Sequence, residues 1–265
     1  MNISSILITG DDGYTSPRTR LLIRLLKDTY DLRVCATNTQ QSGVGGYMSI
    51  REGGVWGEDA VDGVPALWVD KHPVDAIEVA EMYYQRTFDL VISGVNWGAN
   101  LGGSVISSGT FAAGYRALHD RLAPHVMVLS WKVPFEMWFA IDQQETPIDS
   151  FLEYPGKQIV SMIHLAQTTN FWNTAMVNIN FPEHPSNEVR WTTALPNLRE
   201  LYPPLVLDRE KKTFSYDRDP RVASPNTNPQ FDSGAVQNGI ISISKVHKDF
   251  TIDPIDEKQQ SWTLI

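Results

Sequence analysis

Two adjacent aspartates, Asp11 and Asp12, are the first residues in the chain whose type and position suggest chemistry. They follow the apolar residues 6–8, which are typical of a buried parallel strand, and they lie between Gly10 and Gly13. Open α/β sheets bind ligands where such a strand ends in a glycine-containing loop. Because neighbouring carboxylates repel each other, a partly buried pair needs a positive charge between them. The segment also fits an ordinary turn with an aspartate N-cap, so these residues alone leave both interpretations open.

A second polar loop, residues 37–46, follows the next predicted strand and contains Ser42. Because the carboxyl ends of parallel strands meet at one edge of a sheet, we expect this loop to lie on the same edge as the two aspartates. Its glycines do not have the spacing of a dinucleotide-binding fingerprint, and they follow the second strand instead of the first. Ser42 is a candidate ligand, although most serines in such loops bond only to the backbone of a turn.

A third loop, residues 94–103, follows the apolar strand predicted over residues 88–93. It contains four glycines and two asparagines, Asn96 and Asn100. Asparagine amides are suitable both as metal ligands and as donors to a bound anion. This loop therefore adds a third strand end with polar side chains to the same edge of the predicted sheet.

Three small residues, Ser108, Gly109 and Thr110, precede a helix predicted over residues 111–119. Small residues at the start of a helix leave backbone N–H groups accessible to a phosphate. An N-cap is the commoner use of such residues, and this alternative remains open at this point.

All of these candidate ligand atoms are oxygens, and neither a cysteine nor a pair of histidines accompanies them. Such a set favours a hard divalent cation, Mg²⁺ or Mn²⁺, over zinc. Combined with an anion-binding helix start, it suggests metal-assisted hydrolysis of a phosphate ester. Asp11 or Asp12 would also accept the proton of the attacking water, and the sequence does not distinguish between them.

The order of predicted elements indicates an α/β fold, Rossmann-like, with a mostly parallel sheet and helices on both faces. We predict a core over residues 1–182 and an extension over residues 183–265 that completes the sheet or mediates oligomer contacts. Within the core we expect short strands at residues 48–50 and 66–69, with turns between them. We also expect a helix within residues 154–167 that has Pro155 in its first turn.

The composition excludes several classes of protein. The 265 residues are 42% hydrophobic, and 22 basic against 31 acidic residues give a net charge of −9, with no basic block. Binding to a nucleic-acid polymer is therefore not expected, because it needs clustered Lys and Arg. With a single cysteine, no apparent signal peptide and no membrane-spanning apolar run, we expect a soluble cytoplasmic protein that does not bind a membrane.

Several motifs together resemble the family of the stationary-phase survival protein SurE. The resemblance runs through most of the chain in one order, so it is more specific than any single motif. Its segments are Asp11-Asp12-Gly13, Gln41-Ser42-Gly43, the loop from Ser93 to Asn100, Ser108-Gly109-Thr110, Asn178-Ile179-Asn180-Phe181-Pro182 and the segment from Asp232 to Ser244.

The resemblance implies a Rossmann-like core with a C-terminal arm, a homodimer or homotetramer, and a 5′/3′-nucleotidase that requires one divalent cation per subunit. The family's metal ligands match Asp11, Asp12, Ser42 and Asn96 in this sequence. The expected substrate is a nucleoside monophosphate, with Asn96, Asn100, Ser108, Gly109 and Thr110 as substrate-binding candidates. The alternatives are a phosphatase acting on another small phosphate ester or polyphosphate, and a non-catalytic nucleotide-binding protein.

The sequence departs from the family pattern at two places. Gly10 stands where the family usually has asparagine, and Lys71-His72-Pro73 replaces a Gly-Thr-Pro-type segment. The first departure removes a polar side chain beside the expected metal ligands, which favours the non-catalytic alternative.

Overall fold

A computed structural model describes residues 2–134, 137, 148–196, 205–216 and 226–247. Its strands are β1 Ser5–Thr9, β2 Asp31–Thr37, β3 Trp56–Val61, β4 Val64–Val69, β5 Leu90–Trp97, β6 Val126–Trp131, β7 Met176–Phe181, β8 Val189–Thr192, β9 Leu205–Asp208, β10 Thr213–Tyr216 and β11 Ile241–Val246. The helices with more than one turn are α1 Pro17–Leu26, α2 Pro73–Tyr84, α3 Gly109–His119, α4 Lys157–Thr168 and α5 Asp232–Gln237. A 3₁₀ helix, Gly102–Ser107, precedes α3.

The main sheet has the strand order β3-β4-β2-β1-β5-β6-β7-β11-β8. The strands from β4 to β7 in this order are all parallel, whereas β3 and β11 run antiparallel to their neighbours β4 and β7. From β1 the chain builds the sheet in one direction through β2, and then returns to β5 on the other side of β1. The strand order therefore reverses between β1 and β5, and in such sheets the crevice at this reversal is the usual ligand site.

Helices cover both faces of the sheet, and the alternation along β1 shows how. Ile6 and Ile8 pack on one face in a core with α1 and α4, whereas Leu7 packs on the other face with α2 and α3. All three side chains are fully buried, and each contributes about 2 kcal/mol through removal of its apolar surface from water. The predicted fold class is confirmed.

The start of α1 determines how Arg18 is placed. Ser16 is the N-cap and accepts a hydrogen bond from the Thr19 backbone N–H at 3.2 Å, and Pro17 occupies the first helical position. Leu21 and Leu22 are buried on the inner face. Arg18 precedes them by three and four residues, so it lies on this same inner face.

Two local predictions between residues 47 and 69 are wrong. Residues 48–50 form no strand, and β3 lies instead within the stretch that we expected to consist of turns. Asp62 and Gly63 both have positive φ and join β3 to β4 in a two-residue hairpin, for which an Asp-Gly pair is a strong signal. The pattern missed β3 because it is an edge strand with mostly exposed side chains, which lacks the usual apolar alternation.

The helix predicted with Pro155 in its first turn begins later. Pro155 lies in the preceding turn, Leu152–Gly156, where Tyr154 has extended φ and ψ. A residue before proline is biased away from the helical region, so α4 starts only at Lys157.

The strand predicted to end at residue 93 continues to Trp97, so Asn96 lies on β5 and not in a loop. The pairing of β5 with β6 shifts between Ser93 and Asn96. The sequence does not indicate this continuation, because Gly94 interrupts the apolar run. In the structure Gly94 has a φ of 124°, which accommodates the irregularity in the strand.

The C-terminal extension contributes to the main sheet. β11 pairs antiparallel with β7, and β8 pairs parallel with β11. β9 and β10 form a separate hairpin. The boundary at residue 182 stays a prediction, and parts of the extension lie outside the described residues. Among the described residues, no helix is both long and apolar enough to cross a membrane.

Asp89 connects the N-terminal segment to the start of β5 through hydrogen bonds. We expect the stability that these bonds provide to depend on pH. Its Oδ2 accepts hydrogen bonds from the Ser4 hydroxyl at 2.7 Å and from the backbone N–H groups of Ser4 and Ser5, both at 2.9 Å. These bonds lower the pKa of Asp89 to about 2. We expect Asp89→Asn to lower the free energy of unfolding at pH 7 by about 1 kcal/mol, after allowance for solvent screening.

Because the folded-state pKa is below the unfolded value of about 4, this stabilisation is complete above pH 4 and is lost as the pH falls towards 2. Urea unfolding of both proteins at pH 7, 5, 4 and 3 measures it. A difference between the proteins that stays constant over this pH range would contradict the prediction.

Candidate active site

Asp11 lies directly beyond β1 and is held against the start of α3. The carboxyl is buried, and its Oδ1 accepts a hydrogen bond from the Thr110 hydroxyl. A Cβ placed on Gly109 would lie 2.9 Å from both Cβ and Oδ2 of Asp11, so only glycine allows this approach. Burial raises the pKa of Asp11, although the bond from Thr110 opposes this effect. The N-terminus of a helix therefore lies against one of the two predicted carboxylates.

Asp12 forms an ion pair with Arg18, which the sequence analysis did not single out. Arg18 Nη1 contacts Asp12 Oδ1, and the side chains are only 4% and 7% exposed. The guanidinium carbon of Arg18 also lies 4.2 Å from the centroid of the Trp97 ring, in a cation–π arrangement. Burial raises the pKa of Asp12 to about 7, and the charge of Arg18 limits this rise.

The second polar loop reaches the same place through Gln40. Its Nε2 is 3.2 Å from Ser42 Oγ and 3.4 Å from Asp12 Oδ1, so it links the exposed hydroxyl to the buried carboxylate. The Gln41 backbone N–H donates to the Asp11 carbonyl at 2.7 Å, which fixes this loop against the first one. Ser42 and the two aspartates are therefore neighbours.

Asn96 and Asn100 are placed differently. Asn96 lies at the end of β5, on the other side of the strand-order reversal from Asp11, and its Nδ2 donates to the Gly98 carbonyl at 2.7 Å. This bond uses the amide nitrogen, so the amide oxygen is the atom that remains to bind a cation. Asn100 is buried, and its Nδ2 donates to Ser130 Oγ at 2.9 Å.

The backbone of Asn100 is also engaged, because its N–H donates to Asn180 Oδ1 at 2.8 Å and its carbonyl accepts from Asn178 and Asn180. Ser108 acts as the N-cap of α3, and its Oγ accepts from the Phe111 N–H at 3.0 Å. The described contacts of Asn100 and Ser108 therefore hold the loop and the helix start in place.

Gly10, which departs from the family pattern, has a φ of +155°, a value that residues with side chains rarely adopt. A Cβ on Gly10 would lie 3.4 Å from the Gly94 nitrogen of β5. The first loop and β5 are thus in close backbone contact at this residue, which suits glycine.

The donor chemistry of this site fits a hard divalent cation. Two carboxylates, Asp11 and Asp12, lie side by side at low exposure with the single positive charge of Arg18 against them. When both carboxylates are ionised, Arg18 compensates only one of the two charges, and burial makes the other costly, which is the cause of the raised pKa of both groups. Ser42, linked to Asp12 through Gln40, and Asn96, at the end of the neighbouring β5, offer further oxygen donors of the kind that Mg²⁺ and Mn²⁺ prefer.

Comparison with known proteins identifies the family of the chain. A family model described as "Survival protein SurE" matches residues 6–200. The chain belongs to the SurE family. The resemblance inferred from the motifs is confirmed.

Relatives similar to this chain over most of their length are named "5'-nucleotidase SurE". The protein from Chloroflexus aggregans is 37% identical over 269 residues, covering 97% of this chain and 98% of its own. The one from Methanopyrus kandleri is 28% identical over 254 residues, covering 94% and 93%. A crystal structure of the SurE protein from Aquifex aeolicus matches with a TM-score of 0.69 and 22% identity, covering 94% of this chain and 95% of that one, which supports the fold.

A second group of carboxylates, Glu78, Glu81 and Asp120, is the one cluster of three acidic, histidine or cysteine residues among the described residues whose ligand atoms lie close enough to hold a metal. Arg116 already compensates it, since its Nη2 contacts Glu78 and its Nε lies 2.7 Å from Asp120 Oδ2. Asp120 follows the end of α3, whereas Asp11 lies at the start of that helix. This cluster is therefore separate from the site that matches the SurE motifs.

Sequence reasoning missed the roles of Arg18, Gln40 and Asp232 in building the site. Arg18 carried a usable signal, because a charged residue three and four positions before Leu21 and Leu22 falls on the buried face of α1. Asp232 occurs in a recognised SurE segment, but its contact with Gly102, whose N–H donates to its Oδ2 at 2.6 Å, joins residues 130 positions apart. No local pattern predicts such a contact.

Proposed function

We propose that this chain hydrolyses nucleoside 5′- or 3′-monophosphates to nucleoside and phosphate, with one bound Mg²⁺ or Mn²⁺ per subunit. The observation that carries the proposal is the contact of the buried Asp11 carboxylate, next to that of Asp12, with the N-terminus of α3 at the reversal of the strand order. The names of the relatives, "5'-nucleotidase SurE", support the choice of substrate.

In this proposal Asp11, Asp12, Ser42 and Asn96 hold the divalent ion. When bound, the ion supplies Lewis-acid polarisation of a phosphoryl oxygen and lowers the pKa of water. Gln40 supports this set because it bridges Ser42 and Asp12. The bond from Asn96 Nδ2 to Gly98 keeps the amide oxygen available as a ligand.

The start of α3 binds the phosphate. Backbone N–H groups in the first turn of a helix have no acceptor within the helix, and the helix dipole favours an anion there. Gly109 and Thr110 begin this turn, Ser108 sets its direction as the N-cap, and the Thr110 N–H also bonds the Asp11 carboxylate. Asn96 contributes from the end of β5, and Asn100 contributes from the loop after β5, mainly through the position of its backbone. The proton released by the attacking water passes to one of the two carboxylates.

Phosphate release from a panel of nucleoside 5′- and 3′-monophosphates tests the proposal. The protein is first treated with EDTA and then supplied with Mg²⁺ or Mn²⁺, and p-nitrophenyl phosphate and polyphosphate serve as comparison substrates. We expect metal-dependent release that is fastest with nucleotides. Faster release from the comparison substrates would favour a different phosphatase, and nucleotide binding without release in either metal would favour a non-catalytic protein.

Replacing Gly109 with alanine should lower kcat/KM by about a hundredfold while the protein stays folded, because the added Cβ would displace the Asp11 carboxyl and a misplacement of about 1 Å has such an effect. Alanine is otherwise favourable in a helix, so loss of helix propensity cannot explain a decrease. Gly46→Ala is the matched control, since its Cβ would meet only Ala112 Cβ at 3.9 Å. Equal activity of the two variants would contradict the assigned role of Gly109.

We also propose that the chain forms a homodimer or homotetramer. The hairpin of β9 and β10 supports this, because its large hydrophobic side chains are exposed, namely Leu205, Val206, Leu207, Phe214 and Tyr216. Exposed apolar patches of this kind are typical of interaction sites. Light scattering coupled to gel filtration measures the state, and a monomer at micromolar concentration would contradict the proposal.

A further inference from the structure

Arg18 places a fixed positive charge inside the candidate metal site. Its Nη1 contacts Asp12 Oδ1, its guanidinium lies over the Trp97 ring at 4.2 Å, and its side chain is 4% exposed. A guanidinium remains charged under all ordinary conditions. Because it is packed on one side by an aromatic ring and paired on the other with a carboxylate, this charge stays within the site.

The position of Arg18 follows from a rigid element. It lies in the first turn of α1, where Ser16 caps the helix and Pro17 precedes it. The buried residues Leu21 and Leu22 hold the same face of α1 against the sheet. A side chain carried in this way cannot leave Asp12 without a change in packing around Trp97.

Two cations that share one carboxylate repel each other. A divalent ion on Asp11 and Asp12 would therefore bind less tightly with Arg18 in place than without it. With both cations present the two carboxylates are overcompensated, and the site has a net positive charge. This charge favours a phosphate dianion, which a guanidinium also binds well.

We propose that Arg18 is a second cation of the active site, which weakens the binding of the divalent ion and strengthens the binding of phosphate. The inference rests on the proposed function, because it takes the metal to bind at Asp11 and Asp12 and the phosphate to bind beside it at the start of α3. It predicts two effects of opposite sign when the charge is removed. A purely structural role of Arg18 would instead weaken the binding of both ligands or of neither.

The experiment compares Arg18→Gln, which removes the charge, with Arg18→Lys, which keeps it. Arg20→Gln is the matched control, because Arg20 lies on the same helix and pairs with Asp62 at 3.0 Å, away from Asp12. Calorimetric titration first measures the dissociation constant of Mn²⁺ alone. It then measures that of inorganic phosphate for the Mn²⁺-saturated protein.

We expect Arg18→Gln to bind Mn²⁺ about tenfold more tightly and phosphate about tenfold more weakly, since nearby charges change such equilibria by one or more powers of ten. For Arg18→Lys, both dissociation constants should stay within about threefold of those of the unmodified protein. Arg20→Gln should have the same constants as the unmodified protein. If Arg18→Gln does not fold, Arg18→Met, which can pack on Trp97 without a charge, replaces it.

Three results would overturn the inference. They are shifts of the Mn²⁺ and phosphate dissociation constants in the same direction, no shift in either constant, or no Mn²⁺ binding by any of the proteins. The outcome is separable from that of the proposed function. If the opposite shifts occur but no nucleoside monophosphate is hydrolysed, the inference stands and the proposed function fails. If hydrolysis occurs but the shifts have the same sign, only the inference fails.

Discussion

Replacing Asp11 with asparagine is expected to lower the rate of phosphate release by about a thousandfold without lowering the midpoint of thermal unfolding. The loss follows from removal of one of two carboxylates that hold the divalent ion in the proposed site. The stability is kept because asparagine still offers an oxygen to the Thr110 hydroxyl. The substitution also removes a buried charge beside Asp12. That charge is costly in the folded protein, because burial raises the pKa of both carboxyls.

Phosphate release at saturating Mg²⁺ or Mn²⁺ and a thermal melt measure the two effects on the same preparation. Asp12→Asn is the informative comparison, since it leaves Arg18 buried without its carboxylate and should therefore lower the midpoint as well as the activity. Asp208→Asn, in the exposed hairpin, controls for the loss of one charge. Full activity of Asp11→Asn would exclude the assigned role, and a large decrease in its midpoint would show that Asp11 acts mainly in folding.

Asp232→Ala is expected to lower the free energy of unfolding by about 4 kcal/mol, because it leaves several buried N–H groups unpaired. Asp232 is fully buried, and its carboxylate accepts from the backbone N–H groups of Gly102 at 2.6 Å, Ser233 at 2.8 Å and Leu195 at 3.0 Å. It thereby connects the extension after residue 182 with the loop that follows β5. An effect of this size is a large part of the stability of an ordinary domain.

Urea unfolding at pH 7 measures the effect. Asp208→Ala is the matched control, because Asp208 also accepts two backbone N–H bonds, from Glu210 and Lys211, but in an exposed turn. We expect its effect to stay below about 1 kcal/mol. If the two alanine substitutions lower the free energy of unfolding by the same amount, the burial of Asp232 is not the reason that its hydrogen bonds stabilise the protein.

Much of the fold followed from local patterns. The buried runs at β1 and β5 and a helix within residues 154–167 were expected from the sequence, and the structure has these elements. The pattern failed at β3, where an exposed edge strand has no apolar alternation. It also failed at Gly94, where a strand continues through a glycine that looks like the start of a loop.

For the site, the sequence by itself determined which chemical groups are present and at which strand ends they lie. The types of Asp11, Asp12, Ser42 and Asn96 favour a metal that prefers oxygen, and their positions at or just beyond the carboxyl ends of parallel strands place them at one sheet edge. Side-chain chemistry does not depend on distant parts of the chain, and the alternation of predicted strands and helices is enough to indicate parallel strands.

Only the tertiary structure decided which of these groups touch and what compensates their charge. Thr110 reaches Asp11 from 99 positions away, and Gly102 reaches Asp232 from 130 positions away. Arg18 is close to Asp12 in the sequence, but its burial against Trp97 depends on how α1 packs on β5. Local patterns report the face on which a side chain lies, whereas its partner across an interface depends on the packing of whole elements, and that packing decides the electrostatics of this site.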